Sequence, residues 1–158
     1  MDFVLKTLNK KKLLLVEDNP DDEILTRRAI EKYSGFNSID VARDGVDALA
    51  YLSIDTGLTI SGNIKGTDSF PDLILLDLKM PRLNGHEFLK YVRENPATAN
   101  IPIVVLTTSS EEKDIAISYE LGANSFLRKP VNFLEFAKVI EQLSRYWLEL
   151  NIPSPKVV

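Results

Sequence analysis

The stretch "KKLLLVEDNPDDE" (residues 11–23) sets a short apolar run against five acidic side chains packed into seven positions. An apolar run of that length, stopped by charge and followed by Pro20, reads as a strand buried on both faces that gives way to a helix start. Two further stretches repeat the pattern: "DLILLDL" (72–78) and "IPIVVLTTSS" (101–110). A weaker strand is expected at 38–42 and a short one at 124–130. Helix patterns fill the gaps. Residues 20–34 carry Ile24, Leu25, Ala29 and Tyr33 on an apolar side, and 44–53 turn Val46, Leu49 and Leu52 inward. Residues 86–96, 111–122 and a long final segment, 131–150, complete the set. A strand followed by a helix, five times over, predicts an α/β fold. The expected form is a doubly wound five-stranded parallel sheet of order 2-1-3-4-5, a flavodoxin-like three-layer sandwich.

With 158 residues, 44% hydrophobic and 27% charged, the chain fits one domain able to bury a full core. The expected division is a leader over 1–10, the domain over 11–150 with a surface loop at 56–71, and a flexible tail over 151–158. The absence of cysteine excludes disulfides and thiolate metal sites. A formal net charge of -4 favours neither nucleic acid nor an anionic membrane as partner. The apolar run near the N-terminus is too short for a secretion signal, and no stretch is long enough to span a bilayer. A cytoplasmic location is expected.

In such a sheet, ligands bind beyond the carboxyl ends of the strands, at the switch point between strands 1 and 3. Glu17 and Asp18 close strand 1, Asp77 closes strand 3, Thr107 strand 4 and Lys129 strand 5. Neighbouring strands lie about 4.8 Å apart, so these side chains converge on one edge. Three carboxylates in one pocket repel. A hard divalent cation, Mg²⁺ or Mn²⁺, resolves the repulsion through oxygen ligands. Lys129 and Thr107 then offer a charge and a hydroxyl suited to a phosphoryl oxygen.

Together these residues resemble a response-regulator receiver domain of two-component signalling. The resemblance rests on the acidic pair Glu17-Asp18, Asp77 followed by "LKMP" and Gly85, Thr107 followed by small residues, and Lys129-Pro130, and it covers residues 10–150. It implies a phosphoacceptor rather than an enzyme, one that promotes its own phosphoryl transfer and hydrolysis. On that resemblance Asp77 is the phosphoacceptor and Asp18 a direct metal ligand. Glu17 acts on the metal through water, and the backbone carbonyl of Lys79 is a further ligand. Thr107 and Lys129 contact the phosphoryl group. Phe126 is the aromatic whose rotation follows Thr107, and the peptide bond before Pro130 is cis. Asp77 would attack the phosphorus of a phosphohistidine on a partner histidine kinase, and the helix 4-strand 5-helix 5 face would carry the output.

Read singly, most of these residues have plainer explanations. Asp21, Asp22 and Glu23 read as helix-start acids favoured by the helix dipole. His86 reads as an exposed residue. A lone lysine is commonly at the surface, and a lone phenylalanine commonly in the core. Two other functions fit parts of the pattern: a receiver-fold interaction scaffold that is never phosphorylated, and a Mg-dependent phosphatase. Against the phosphatase, Lys79 stands where such enzymes carry a second acid. No effector domain is expected after the final helix, so output would pass through protein contacts. That helix spreads apolar residues over about two-thirds of its circumference, where a one-sided helix needs about a third. Phe133, Phe136, Ile140, Tyr146 and Trp147 are therefore candidates for a homodimer contact, with the neighbouring strand. The 56–71 loop and the dense final helix further resemble single-domain regulators paired with bacterial phytochrome kinases, which implies a phytochrome-type kinase as partner.

Overall fold

Each short apolar run forms a strand, and each strand is followed by a helix, in a computed structural model describing residues 11–33, 38–60, 64 and 66–155. The strands are β1 (Lys12–Val16), β2 (Ser38–Ala42), β3 (Leu73–Leu76), β4 (Ile103–Thr107) and β5 (Ser125–Arg128). The helices are α1 (Pro20–Tyr33), α2 (Gly45–Tyr51), α3 (Gly85–Glu94), α4 (Glu112–Glu120) and α5 (Phe133–Arg145), the last running into a π-helical turn, Tyr146–Leu150. The sheet is parallel with order β2-β1-β3-β4-β5, as expected. The expected leader, 1–10, lies outside the described residues.

Alternation along the strands assigns the two layers. Leu14, Val16, Ile74, Leu76, Ile103 and Val105 face one side, against Leu49 of α2 and Phe88, Leu89 and Val92 of α3. Leu13, Leu15, Leu73, Leu75, Val104 and Leu106 face the other, against Ala29 and Ile30 of α1 and Phe136, Ile140 and Leu143 of α5. Both sets are apolar because both faces are covered. Each buried Leu, Ile or Val contributes about 1.5–3 kcal/mol relative to exposure. Helix starts are fixed by side chains. Asn84 and Glu87 form a reciprocal capping box on α3, and Asn132 accepts from the amides of Leu134 and Glu135. The fourth helix differs: its only fully buried residue is Ser118, so little apolar burial holds α4 down.

Two expectations change here. Phe136 and Ile140 are buried in the domain's own core, so they are not available for a dimer contact. They sit one turn apart on the stripe of α5 that faces the sheet, and Trp147 packs partly against the same core. The wide apolar spread of the final helix thus resolves into that stripe and an exposed remainder, Phe133, Leu134, Tyr146 and Leu150. On α1, Ile24 is exposed and Ile30 takes the buried position instead. In the tail, Pro153, Ser154 and Pro155 line a cavity of about 460 Å³ with Phe70, Pro71 and Pro102.

Candidate functional site

Register delivers the site residues to one place. Val16 pairs with Leu76, so Glu17 and Asp77 follow side by side, and the Asp77 amide donates to the Val16 carbonyl at 3.0 Å. Thr107 pairs with Arg128, and the Lys129 amide donates to the Thr107 carbonyl at 2.7 Å. The backbone ladder therefore runs one residue into the site on each side. Lys129 Nζ donates to Glu17 Oε2 at 2.6 Å, Asp22 Oδ2 at 3.0 Å and Asp77 Oδ2 at 3.4 Å. Lys129 and Glu17 are both buried, at 7% and 2% exposure. A buried ammonium is tolerated only when paired in this way.

The pocket holds more negative than positive charge, and Glu17 registers it. Burial, with Asp77 beside it, pushes its carboxyl from 4.5 up to about 7, although Lys129 pulls the other way. Burial pulls the Lys129 ammonium down, but Asp77, Glu17 and Asp22 outweigh that, and its net shift is upward. Glu17, Asp18 and Asp77 each offer an oxygen, and these lie within 4.8 Å of one another. This oxygen-only, charge-deficient set fits a hard divalent cation. Both Glu17 oxygens are already engaged, Oε2 by Lys129 and Oε1 by the Asn19 amide at 3.1 Å.

The turn after Asp77 is tightly constrained. The Lys79 amide donates to Asp77 Oδ1 at 3.3 Å, and the Gly85 amide donates to the Leu78 carbonyl at 3.0 Å. A Cβ on Gly85 would lie 2.7 Å from Leu78 Cα and 2.8 Å from the Asp77 carbonyl oxygen, so this position requires glycine. Thr107 is fully buried, its Oγ1 3.5 Å from the Ser109 amide, and Ser109 donates to Asp114 of α4 at 2.6 Å. Phe126 is half-buried, paired with Val105, against the core on the α2/α3 side.

Three readings of single residues need correction. Asp22, taken as a helix-start acid, is a direct partner of Lys129. The Asn19 side chain accepts from the amides of Asp21 and Asp22, and this cap turns the first helical turn toward the pocket. The signal was available, since an acid in the first turn after strand 1 lies over the same sheet edge. His86 is half-buried, not exposed, with Nε2 3.0 Å from Ser118 Oγ. Among the described residues no peptide bond is cis, so the bond before Pro130 is trans. The trans form is the lower in energy for X–Pro by about 0.5–1 kcal/mol, and Lys129 reaches all three carboxylates from it.

Comparison with known proteins agrees with this geometry. A family model described as the response regulator receiver domain matches residues 13–141. A probable methanogenesis regulatory protein, FilR2 of Methanothrix harundinacea, is 37% identical over 139 residues, 88% of this chain and 84% of its own. Response regulator Rcp1 of Synechocystis is 36% identical over 139 residues, 88% of this chain and 90% of its own. The Mn²⁺-bound crystal structure of Rcp1 superimposes with a TM-score of 0.78 at 34% identity, covering 92% of this chain and 99% of that one. The phosphorylated cyanobacterial phytochrome response regulator RcpA gives 0.81 at 34% identity, with the same coverage. The sheet order, the acids at its carboxyl edge and these matches over most of the chain lead to one conclusion: the chain belongs to the response regulator receiver family.

Proposed function

We propose that the chain is a response regulator that accepts a phosphoryl group on Asp77 from a histidine kinase, in a reaction requiring Mg²⁺ or Mn²⁺. The observation that carries this reading is the contact of one buried ammonium, Lys129, with Glu17, Asp22 and Asp77 at the strand ends. Asp18 and Asp77 would hold the metal directly, with the Lys79 carbonyl, and Glu17 through water, since both its oxygens are engaged. The metal, when bound, neutralises charge on the carboxylates and the incoming group. An Asp77 carboxylate oxygen attacks phosphorus in line, and the P–N bond to the kinase imidazole breaks. The product is an acyl phosphate on Asp77. Lys129 and the Thr107 hydroxyl take its oxygens, and water later hydrolyses it.

The output follows from what Thr107 leaves behind. Drawn toward the new charge, its hydroxyl gives up the Ser109 amide, and Phe126 turns into the space. The lightly buried α4 is the element most free to respond. A phytochrome-type kinase is the proposed partner, supported by the likeness to Rcp1 and RcpA. A homodimer through the exposed part of the final helix, Phe133 and Tyr146 with the edge of Trp147, remains part of the proposal, as does a cytoplasmic location.

Incubation with a small phosphodonor and Mg²⁺ tests the reading. Native protein should gain one phosphoryl group by intact mass, and Asp77→Asn none. Labelling that survives Asp77→Asn refutes the assignment. Beryllofluoride with Mg²⁺ should shift amide resonances of Thr107, Phe126 and α4. No shift there would favour the scaffold function instead.

A further inference from the structure

Asp44 precedes α2 and Asp47 lies in its first turn, both 4% exposed, and Asp44 caps the helix by accepting from the Asp47 amide at 2.9 Å. Two buried carboxylates one turn apart require a cation. Arg82 supplies it. Its Nε donates to Asp44 Oδ2 at 3.0 Å, and Nη2 donates to Asp44 Oδ2 at 2.8 Å and Asp47 Oδ1 at 3.1 Å. Its third nitrogen, Nη1, points the other way and donates to the Thr59 carbonyl in the long loop. The fork geometry of the guanidinium permits all of these at once.

Arg82 lies five residues past Asp77, in the turn joining β3 to α3, and adopts a left-handed backbone with φ of 64°. A non-glycine residue is disfavoured there and persists when its surroundings fix it. The next residue, Leu83, is pressed onto the start of α2. The Gly45 amide donates to its carbonyl at 3.2 Å, and a Cβ on Gly45 would lie 2.4 Å from that oxygen. The turn carrying Asp77, Lys79 and Arg82 is thus docked on α2 by an ion-pair cluster and by a close backbone approach. Thr59 is flanked by Leu58 and Ile60, exposed at 52% and 45%.

We propose that Arg82 is a positioning residue for the metal and phosphoacceptor site, and that loop residues 58–60 act on that site through it. The proposal rests on the function proposed above, because the segment it holds is the one that presents Asp77 and the Lys79 carbonyl. Displacing Thr59 removes one of the anchors of the guanidinium. The remaining contacts then set the turn alone, and the ligand geometry loosens.

Mn²⁺ titration of the full chain by calorimetry tests this, with thermal unfolding measured alongside. Arg82→Gly suits the left-handed backbone and removes the clamp. It should weaken Mn²⁺ binding by about tenfold, the scale on which outer partners of metal ligands act. Arg82→Lys, with one donor head in place of a fork, should fall between. Because Arg82→Gly removes a cation from beside the buried Asp44 and Asp47, the triple variant R82G/D44N/D47N keeps the helix cap without charge. It should show the same tenfold loss with a near-native unfolding midpoint. Replacing residues 57–64 by a shorter Gly-Ser link should cost less affinity than Arg82→Gly. Native affinity in Arg82→Gly and the triple variant overturns the positioning role, and native affinity in the loop variant overturns the link to the loop. If native protein takes up no Mn²⁺ and Asp77 is not labelled, the proposed function fails and this inference with it. Uptake by native protein with equal uptake by Arg82→Gly overturns this inference alone.

Discussion

Lys129→Met should destabilise the metal-free protein, and the loss should grow with pH. The ammonium contacts Glu17, Asp22 and Asp77 at 2.6, 3.0 and 3.4 Å, and it is buried. Removing one partner of a buried ion pair costs about 3–5 kcal/mol, because the other charges stay buried and uncompensated. For a chain of this length that is a fall of about 10 °C in melting temperature. The pH dependence follows from two linked groups. In the native protein Glu17 rises from 4.5 to about 7 on folding, so its protonated form is favoured in the folded state. Its contribution is complete below 4.5 and is lost as pH climbs through 7, a change of about 3 kcal/mol. The Lys129 ammonium is raised above 10.5, so its contribution is complete below that value and lost only as pH passes the folded one. Without the ammonium, Glu17 loses the neighbour that held its carboxyl down and moves higher still. Near pH 5 Glu17 is mostly protonated in native and variant alike, and the variant loses its ion pairs to Asp22 and Asp77 and only an uncharged acceptor at Glu17. Near pH 8 it loses the Glu17 pair as well. Urea unfolding in EDTA at pH 5, 6, 7 and 8 measures the gap. Millimolar Mg²⁺ should narrow it at the alkaline end. A gap independent of pH, or a variant more stable than native at pH 8, would refute the charge argument.

The remaining expectations concern packing and metal linkage. Gly85→Ala should cost about 1–3 kcal/mol by overpacking. Because the clash falls on Leu78 and the Asp77 carbonyl, it should also weaken Mn²⁺ binding, read by unfolding and calorimetry together. Phe136→Ala should destabilise by about 3–5 kcal/mol, since that ring is buried in the core. Phe133→Ala should change stability by less than about 0.5 kcal/mol but reduce any self-association seen by sedimentation. Monomer at all concentrations, with and without phosphorylation, would remove the dimer. Mn²⁺ affinity should rise about tenfold from pH 6 to pH 8, as Glu17 ionises around 7, and a flat profile would take Glu17 out of the metal site.

Most of the fold was readable because strands covered on both faces leave an unmistakable mark. Leu13, Leu14, Leu15 and Val16 must all be apolar when helices lie above and below. The strand-end residues were readable for the same reason, since parallel register turns "one past the strand" into a location. What the sequence hid was direction on helices and turns. Nothing in "PDDE" separates Asp22, whose side chain reaches Lys129, from its neighbour Asp21, although the Asn19 cap takes the amides of both. On the final helix, apolar content alone could not divide Phe136, facing the sheet, from Phe133, facing outward. Arg82 escaped notice because its partners, Asp44 and Asp47, come from an element 35–38 residues earlier. Two acids at the start of a short helix were the available hint that a cation had to arrive from elsewhere.

The distribution of anchoring argues for how such a site could report its state. The residues that meet at the pocket are held by ladder bonds continuous with the core: Asp77 through Val16, Lys129 through Thr107. They cannot move far without breaking the sheet. The charge imbalance they create is therefore not relieved by relaxation, and Glu17 bears it as a raised proton affinity. A divalent cation would relieve it, and a phosphoryl group on the proposed acceptor Asp77 would then add negative charge that only the groups around it can answer. Thr107 is bonded to the start of the β4–α4 loop through Ser109, and Ser109 to Asp114 on α4. That helix buries a single residue fully, Ser118, where α3 buries Gly85, Phe88, Leu89 and Val92. A rigid pocket joined through Ser109 to a weakly packed helix would convert a change in charge into displacement of the element that costs least to move.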